Sequence, residues 1–134
     1  MRLQPIPRKL INEAALYMGS ELVKKAEGPL GDPATWHAVA QNEGIKVYEF
    51  HAPGAGRGEF VVGTPDGHPA RIAINTAYPA REVASAYVHE LSEILLRRMQ
   101  PPLLPSEADA GRYEGEPDDV QHLISRKTEK VVLG

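Results

Sequence analysis

The chain has 134 residues, 42% of them hydrophobic and 25% charged, which suits a single globular domain, and its net charge of −3 gives no electrostatic reason to expect nucleic acid or an anionic membrane. It contains no cysteine, which excludes disulfides and cysteine-based zinc knuckles, so any bound metal must rely on histidine and carboxylate. No apolar run approaches the roughly 20 residues of a membrane span, the first residues lack the apolar core of a signal peptide, and a cytoplasmic location is the expectation.

Leu10, Ile11, Ala14, Ala15, Met18, Leu22 and Val23 recur at helical spacing and predict a helix over about 8–26, ended by Gly28-Pro29. Asp32 and Pro33 suit the cap and first turn of a second helix, on which Trp36, Val39 and Ala40 face one way, with Gly44 at its end. Residues 45–50, IKVYEF, are β-branched and aromatic and predict a strand. Ile45 and Val47 share one face, while Tyr48 and Phe50 put apolar groups on the other, so cover on both sides for part of the strand's length is expected. A glycine-rich loop over 51–58 leads to a second strand over 59–62. Thr64-Pro65-Asp66-Gly67 is turn chemistry, and a third strand over 71–75 places Ile72 and Ile74 together. One antiparallel sheet is expected from these three.

Pro79 then opens a long helix over 80–99, closed by Pro101-Pro102. Residues 101–117 are rich in proline, glycine and acid and read as a loop or flap. A last helix is predicted over about 118–132, with Val120, Leu123, Ile124 and Val131 as its apolar face. The fold class is therefore α+β within one domain: 1–31 an N-terminal helix and linker, 32–99 the core, 100–117 the loop, 118–134 the C-terminal helix.

The chemistry-bearing string is His89-Glu90-Leu91-Ser92-Glu93. His89 and Glu93, four apart, lie one above the other on the long helix. That spacing allows two ligands to converge on one ion. Glu90 sits about 100° around the helix from His89, where a carboxylate can act as general base without ligating. The plain alternative is a solvated helix face. Against it stand the flanking Ala84, Ala86, Val88, Leu91, Ile94, Leu95 and Leu96, which make the helix apolar on most sides. A buried histidine and two buried glutamates need partners. A metal is one partner; Arg71, Arg97 or Arg98 is another. His37, His51 and His68 read as ordinary surface, loop and turn histidines. Tyr87 and Tyr113 are candidates to polarise a substrate carbonyl, with packing the alternative for Tyr87.

The sequence resembles the ImmA/IrrE metallopeptidase-like domains over roughly residues 33–98. The segment from Ala38 to Val47, the strand Arg71-Ile72-Ala73-Ile74-Asn75, and Tyr78-Pro79-Ala80-Arg81-Glu82 leading into Ala86-Tyr87-Val88-His89-Glu90-Leu91 carry the likeness. The resemblance implies a zincin-like fold, a Zn²⁺ ion and proteolysis of an intracellular regulatory protein. Glu93 stands where the family has a second histidine. The family's third ligand is a carboxylate on a later helix, where this chain has Asp118-Asp119-Val120-Gln121-His122. A permuted ligand set of His89, Glu93 and His122 keeps two histidines and one carboxylate, which suits Zn²⁺ and also Fe²⁺ or Mn²⁺. His122 points away from the apolar face of its helix, so Asp119 is the reserve ligand, and Asp118 could orient the His122 ring. Glu90 would be the catalytic base and a protein or peptide the substrate. An inactive protein-binding or regulatory module is the alternative function, as is metal chemistry other than proteolysis.

Overall fold

The computed structural model describes residues 7–63, 66–99, 101, 103–104 and 120–134. Helix α1 (Arg8–Lys25) buries Ile11, Ala14, Ala15, Met18 and Leu22, the apolar set read from its spacing. Helix α2 (Pro33–Asn42) starts as expected: Pro33 occupies the first turn, and the Asp32 carboxylate accepts from the Ala34 backbone N–H at 3.0 Å. Trp36, Val39 and Ala40 are buried, and the Trp36 indole donates to the Leu30 carbonyl at 2.7 Å. Gly44 follows with φ +72°, a left-handed conformation that costs other residues energy.

Strands β1 (Lys46–Phe50), β2 (Gly58–Val61) and β3 (Arg71–Asn75) form one sheet in the order β1-β3-β2. The β2–β3 pair is antiparallel, in keeping with the turn chemistry between them, of which Thr64 and Pro65 lie outside the described residues. The β1–β3 pair is parallel, with Val47 opposite Ile72 and Phe50 opposite Asn75. The expected all-antiparallel sheet is therefore corrected to a mixed one. The cause lies in the loop between β1 and β2, which crosses the C-terminal end of β3 rather than turning back beside β1. Asn75, fully buried at that end, holds the crossing. Its side-chain NH₂ donates to the carbonyls of Ala52 (2.8 Å) and Gly56 (3.1 Å), and its oxygen accepts from the N–H groups of Ala52 (3.1 Å) and Ala77 (3.0 Å).

Ile45, Ile72 and Ile74 are buried, but Tyr48 and Phe50 are exposed. The expected cover on both faces of β1 is thus wrong. β1 is an edge strand, and the helices that touch the sheet, α2 and α3 (Ala80–Arg98), take up the face carrying Ile72 and Ile74.

Helix α3 is central: Ala86 to Ile94 are all buried. It packs on α2, on the sheet and on α4 (Val120–Leu133), which also packs along α1. Gly19 permits the last contact, since a Cβ there would collide with the Val131 side chain. Val131 itself is 40% exposed, whereas Ser125, Thr128, Val132 and Leu133 are buried. The apolar stripe predicted through Val131 is corrected accordingly. The buried arc turns toward two hydroxyl residues that an apolar reading passes over. Thr128 meets its polar requirement locally by donating to the Ile124 carbonyl at 2.7 Å. Most of the predicted 101–117 loop, including Tyr113, and both Asp118 and Asp119 lie outside the described residues. Among the described residues, no helix is long and apolar enough to cross a membrane.

Candidate metal centre

Two helices build the site. On α3, His89, Glu90 and Glu93 are buried, with 9%, 7% and 4% of their surface exposed. On α4, His122, Ser125 and Glu129 lie within about 60° of one another around the helix axis. This polar arc adjoins the apolar one and packs against α3. His122 is therefore half-buried at the site although it points away from Val120 and Leu123.

Potential ligand atoms of His89, Glu93 and His122 all lie within 4.8 Å of one another. The imidazole rings of His89 and His122 meet edge to face, with centroids 4.9 Å apart. The His122 Nδ1 is 3.6 Å from Glu93 Oε2. A tetrahedral ion with ligands at about 2.1 Å spaces them about 3.4 Å apart, so small side-chain rotations bring the three donors onto one ion. Asp119, the reserve ligand, lies outside the described residues.

Neighbouring groups leave the needed atoms available. His89 Nδ1 is hydrogen-bonded to Glu129 Oε2 at 2.6 Å, which leaves Nε2 for an ion. Glu93 Oε1 accepts from Ser125 Oγ (3.1 Å) and from Arg97 (3.3 Å), which leaves Oε2 facing His122. Of the three arginines considered as alternatives to a metal, Arg97 is the one that reaches Glu93. Arg98 instead donates to the Glu43 carbonyl at 3.1 Å.

Glu129 is the residue the sequence reading missed. Its Oε1 accepts from Ser85 Oγ and from Arg57, each at 2.6 Å, while Oε2 holds His89. A histidine ligand oriented by a carboxylate through its other nitrogen is the usual arrangement around a protein-bound metal. The missed signal was spacing: Glu129 follows His122 by seven residues, two helical turns, and so shares its side of α4. Burial alone would raise the Glu129 pKa, but the bonds from His89, Ser85 and Arg57 and the charge of Arg57 outweigh it and bring the carboxyl down to about 2. For His89, burial opposes protonation. The Glu129 bond and charge, with the charges of Glu90 and Glu93, reverse that and raise its pKa.

Glu90 is the exception in this network. Its Oε2 is buried and has no hydrogen-bond partner among the described residues. Burial, partly offset by the charge of His89 and reinforced by those of Glu93 and Glu129, pushes its pKa up to about 7. Leaving a buried polar atom unmet costs about 1–3 kcal/mol. Gly58, at the start of β2, lies against it: a Cβ there would come within 2.9 Å of the Ala73 carbonyl and 3.4 Å of Glu90 Cγ. Arg57, Gly58, Ala86, His89, Glu90, His122, Arg126 and Glu129 enclose an open recess of about 300 Å³.

The remaining candidates are elsewhere. The Tyr87 hydroxyl donates to Glu49 Oε1 at 3.0 Å and lies 3.1 Å from His37 Nδ1, on a different side of α3. Its proposed role with a substrate carbonyl is set aside in favour of packing. His51 and His68 are exposed, and His68 lies 3.8 Å from Asp66. Comparison of the chain with protein-family models, with curated proteins and with solved structures gave no match.

Proposed function

We propose that the chain is a metal-dependent peptidase of the ImmA/IrrE type, with a zincin-like arrangement of sheet and helices, acting on a cytoplasmic regulatory protein. The observation that carries this reading is Glu90: a buried carboxylate oxygen without a partner among the described residues, beside a His89–Glu93–His122 group in which Glu129 orients His89 and Ser125 and Arg97 orient Glu93. A structural cluster has no use for an unmet oxygen, whereas a general base needs one. Two nitrogens and one carboxylate oxygen fit Zn²⁺ and leave a position open for chemistry.

Zn²⁺ bound there supplies Lewis acidity toward water and a peptide carbonyl. The chain's own residues do the rest. His89 Nε2, Glu93 Oε2 and His122 would hold the ion, and Glu129 fixes the His89 ring. Glu90 takes a proton from the attacking water and returns it to the leaving amine, and a pKa of about 7 suits both transfers near neutrality. The edge of β2, which begins at Gly58 against Glu90 and has no further strand beside it among the described residues, is where an extended peptide aligns.

The alternative is a non-catalytic module in which the same cluster only ties α3 to α4. The bonds to Glu93 from Arg97 on α3 and from Ser125 on α4 favour it. A cleavage assay on protein fragments with the Zn²⁺-loaded chain and its Glu90→Gln variant decides. The proposal expects hydrolysis by the wild type and loss of at least 100-fold in the variant, with metal content unchanged. Metal-free wild-type protein after Zn²⁺ exposure would leave the module reading.

A further inference from the structure

The sheet has two edges, and the recess at Glu90 uses the β2 side alone. The other edge is β1, beside which no further strand lies among the described residues. Its sequence, Lys46-Val47-Tyr48-Glu49-Phe50, holds no proline or glycine, and it pairs with β3 in unbroken register over its whole length. Proteins ordinarily blunt an open edge with proline, a bulge or a covering segment. Here Tyr48 (56% exposed) and Phe50 (39% exposed) instead carry large rings on the sheet face opposite Ile72 and Ile74.

Two bonds fix which way the backbone groups of β1 point. The Lys46 N–H donates to the Ala70 carbonyl at 2.9 Å, and the Phe50 carbonyl accepts from the Thr76 N–H at 2.7 Å. Lys46, Tyr48 and Phe50 therefore turn their backbone groups to β3. By the alternation of a strand, Val47 and Glu49 turn theirs to the open edge.

We infer that β1 is a self-association edge: two copies of the chain pair antiparallel through β1, about a two-fold axis normal to the sheet at Tyr48. The result is one sheet that runs β2-β3-β1 and then β1-β3-β2 of the second copy, with the helices of both copies on the same side. The occupant is a second copy because the strand complements itself. With Tyr48 opposite Tyr48, Val47 and Glu49 face Glu49 and Val47 of the second copy, and each pair exchanges both its backbone bonds. The two Tyr48 rings meet at the non-hydrogen-bonded position, where side chains come closest. Lys46 lies across from Phe50 of the second copy, within reach of a cation–π contact. No like charges meet. Pairing centred on Glu49 would set two carboxylates face to face. Pairing centred on Val47 would call on the Ile45 N–H, which already donates to the Ala40 carbonyl at 2.9 Å. Helix α2, which packs on β1, has no acidic or basic residue besides His37, and its exposed positions include the small Ala34 and Ala38, so it presents no charge clash to its mate. Both β2 edges stay at the ends of the joined sheet, and the inference does not rest on the peptidase reading.

The test is sedimentation velocity on the full chain from about 5 to 500 μM, the range that a small edge contact calls for. The mass should rise from one chain toward two. Tyr48→Lys and Tyr48→Glu, each at an exposed position, set like charges face to face and should each weaken association by about tenfold or more, with an unchanged circular dichroism spectrum. An equimolar mixture of the two variants should associate again, since lysine then meets glutamate at the axis. Val61→Lys, at an exposed position of β2, should leave association unchanged. Amide exchange followed by NMR gives a reading without variants: the Val47 and Glu49 N–H groups should gain protection as concentration rises. A wild-type chain that is monomeric throughout overturns the inference and leaves the edge to a strand of another protein. Association that survives both Tyr48 variants, or exchange at Val47 and Glu49 that ignores concentration, overturns it as well. So does a mixture that stays monomeric, because Tyr48 then does not face its own copy, and so does association lost in Val61→Lys, which moves the contact to β2.

Discussion

Helix α3 carries two polar clusters on different sides, each built around a histidine and a glutamate. In one, Tyr87 reaches His37 and Glu49, whose side chains are 34% and 44% exposed. In the other, His89 and Glu129 are 11% and 13% exposed, and Glu90 lies beside them with an unmet oxygen. The first cluster joins the buried Tyr87 hydroxyl to two partners that solvent reaches, so its bonds contribute little beyond holding α2 and β1 to α3. The second is more deeply buried at His89, Glu90 and Glu129, and it is incomplete. Burial raises the electrostatic stakes of every group in it, and the missing partner marks where another group is to act. Burial and incompleteness together, rather than residue type, separate a site from a surface network.

The sharpest way to break this contrast is to remove Glu129. Glu129→Ala should destabilise the metal-free protein by about 3–5 kcal/mol, because it leaves His89, Ser85 and Arg57 without their shared acceptor. It should also weaken metal affinity by about 10–100-fold; chemical denaturation and metal titration read the two effects. The stabilisation has a pH window. The lowered Glu129 pKa makes its contribution present above about 4.5 and lost toward about 2. The raised His89 pKa makes its contribution complete below about 6.5 and lost as that group deprotonates. The gap between wild type and variant should therefore be widest between those limits.

Asn75→Ala comes next. One buried carboxamide makes four hydrogen bonds, three of them to the loop that delivers Arg57 and Gly58 to the recess. At about 0.5–1.5 kcal/mol each, their loss should cost about 2–6 kcal/mol in thermal or urea unfolding. Glu90→Gln should act in the opposite direction. Its pKa rises from 4.5 to about 7 on folding, so a folding penalty appears above about 4.5 and is complete above about 7. In chelator the variant should be more stable than wild type by about 1–3 kcal/mol at pH 8, and the gain should shrink toward pH 5. Tyr87→Phe should be the mildest change. It removes a hydroxyl from partners that solvent can serve and should cost about 1 kcal/mol or less; a cost above 3 kcal/mol would erase the distinction between the clusters.

Much of this was legible in the chain, and the illegible part has physical causes. Pro79 and Pro101 bracket α3, and His89 and Glu93 share its site-facing side because four residues make about one turn. Ile72 and Ile74 alternate on β3 and are both buried. The parallel pairing of β1 and β3 was hidden, because strand residues do not specify which neighbour they meet. The Asn75 clamp depends on loop atoms from Ala52 and Gly56 that are distant in sequence. The half-burial of His122 was not legible, because a helical wheel assumes water beyond the apolar arc. Here a second, polar arc of α4 meets the polar side of α3. Glu129, on that same arc, escaped for the same reason.

The central claim is that one metal ion sits on His89, Glu93 and His122 while Glu90 stays free to move protons. Native mass spectrometry of untagged protein exposed to Zn²⁺ near neutral pH tests it most directly. The account predicts one ion per chain for the wild type and for Glu90→Gln, and none for His89→Ala. A wild-type chain without the ion, or a His89→Ala variant that keeps it, would contradict the account.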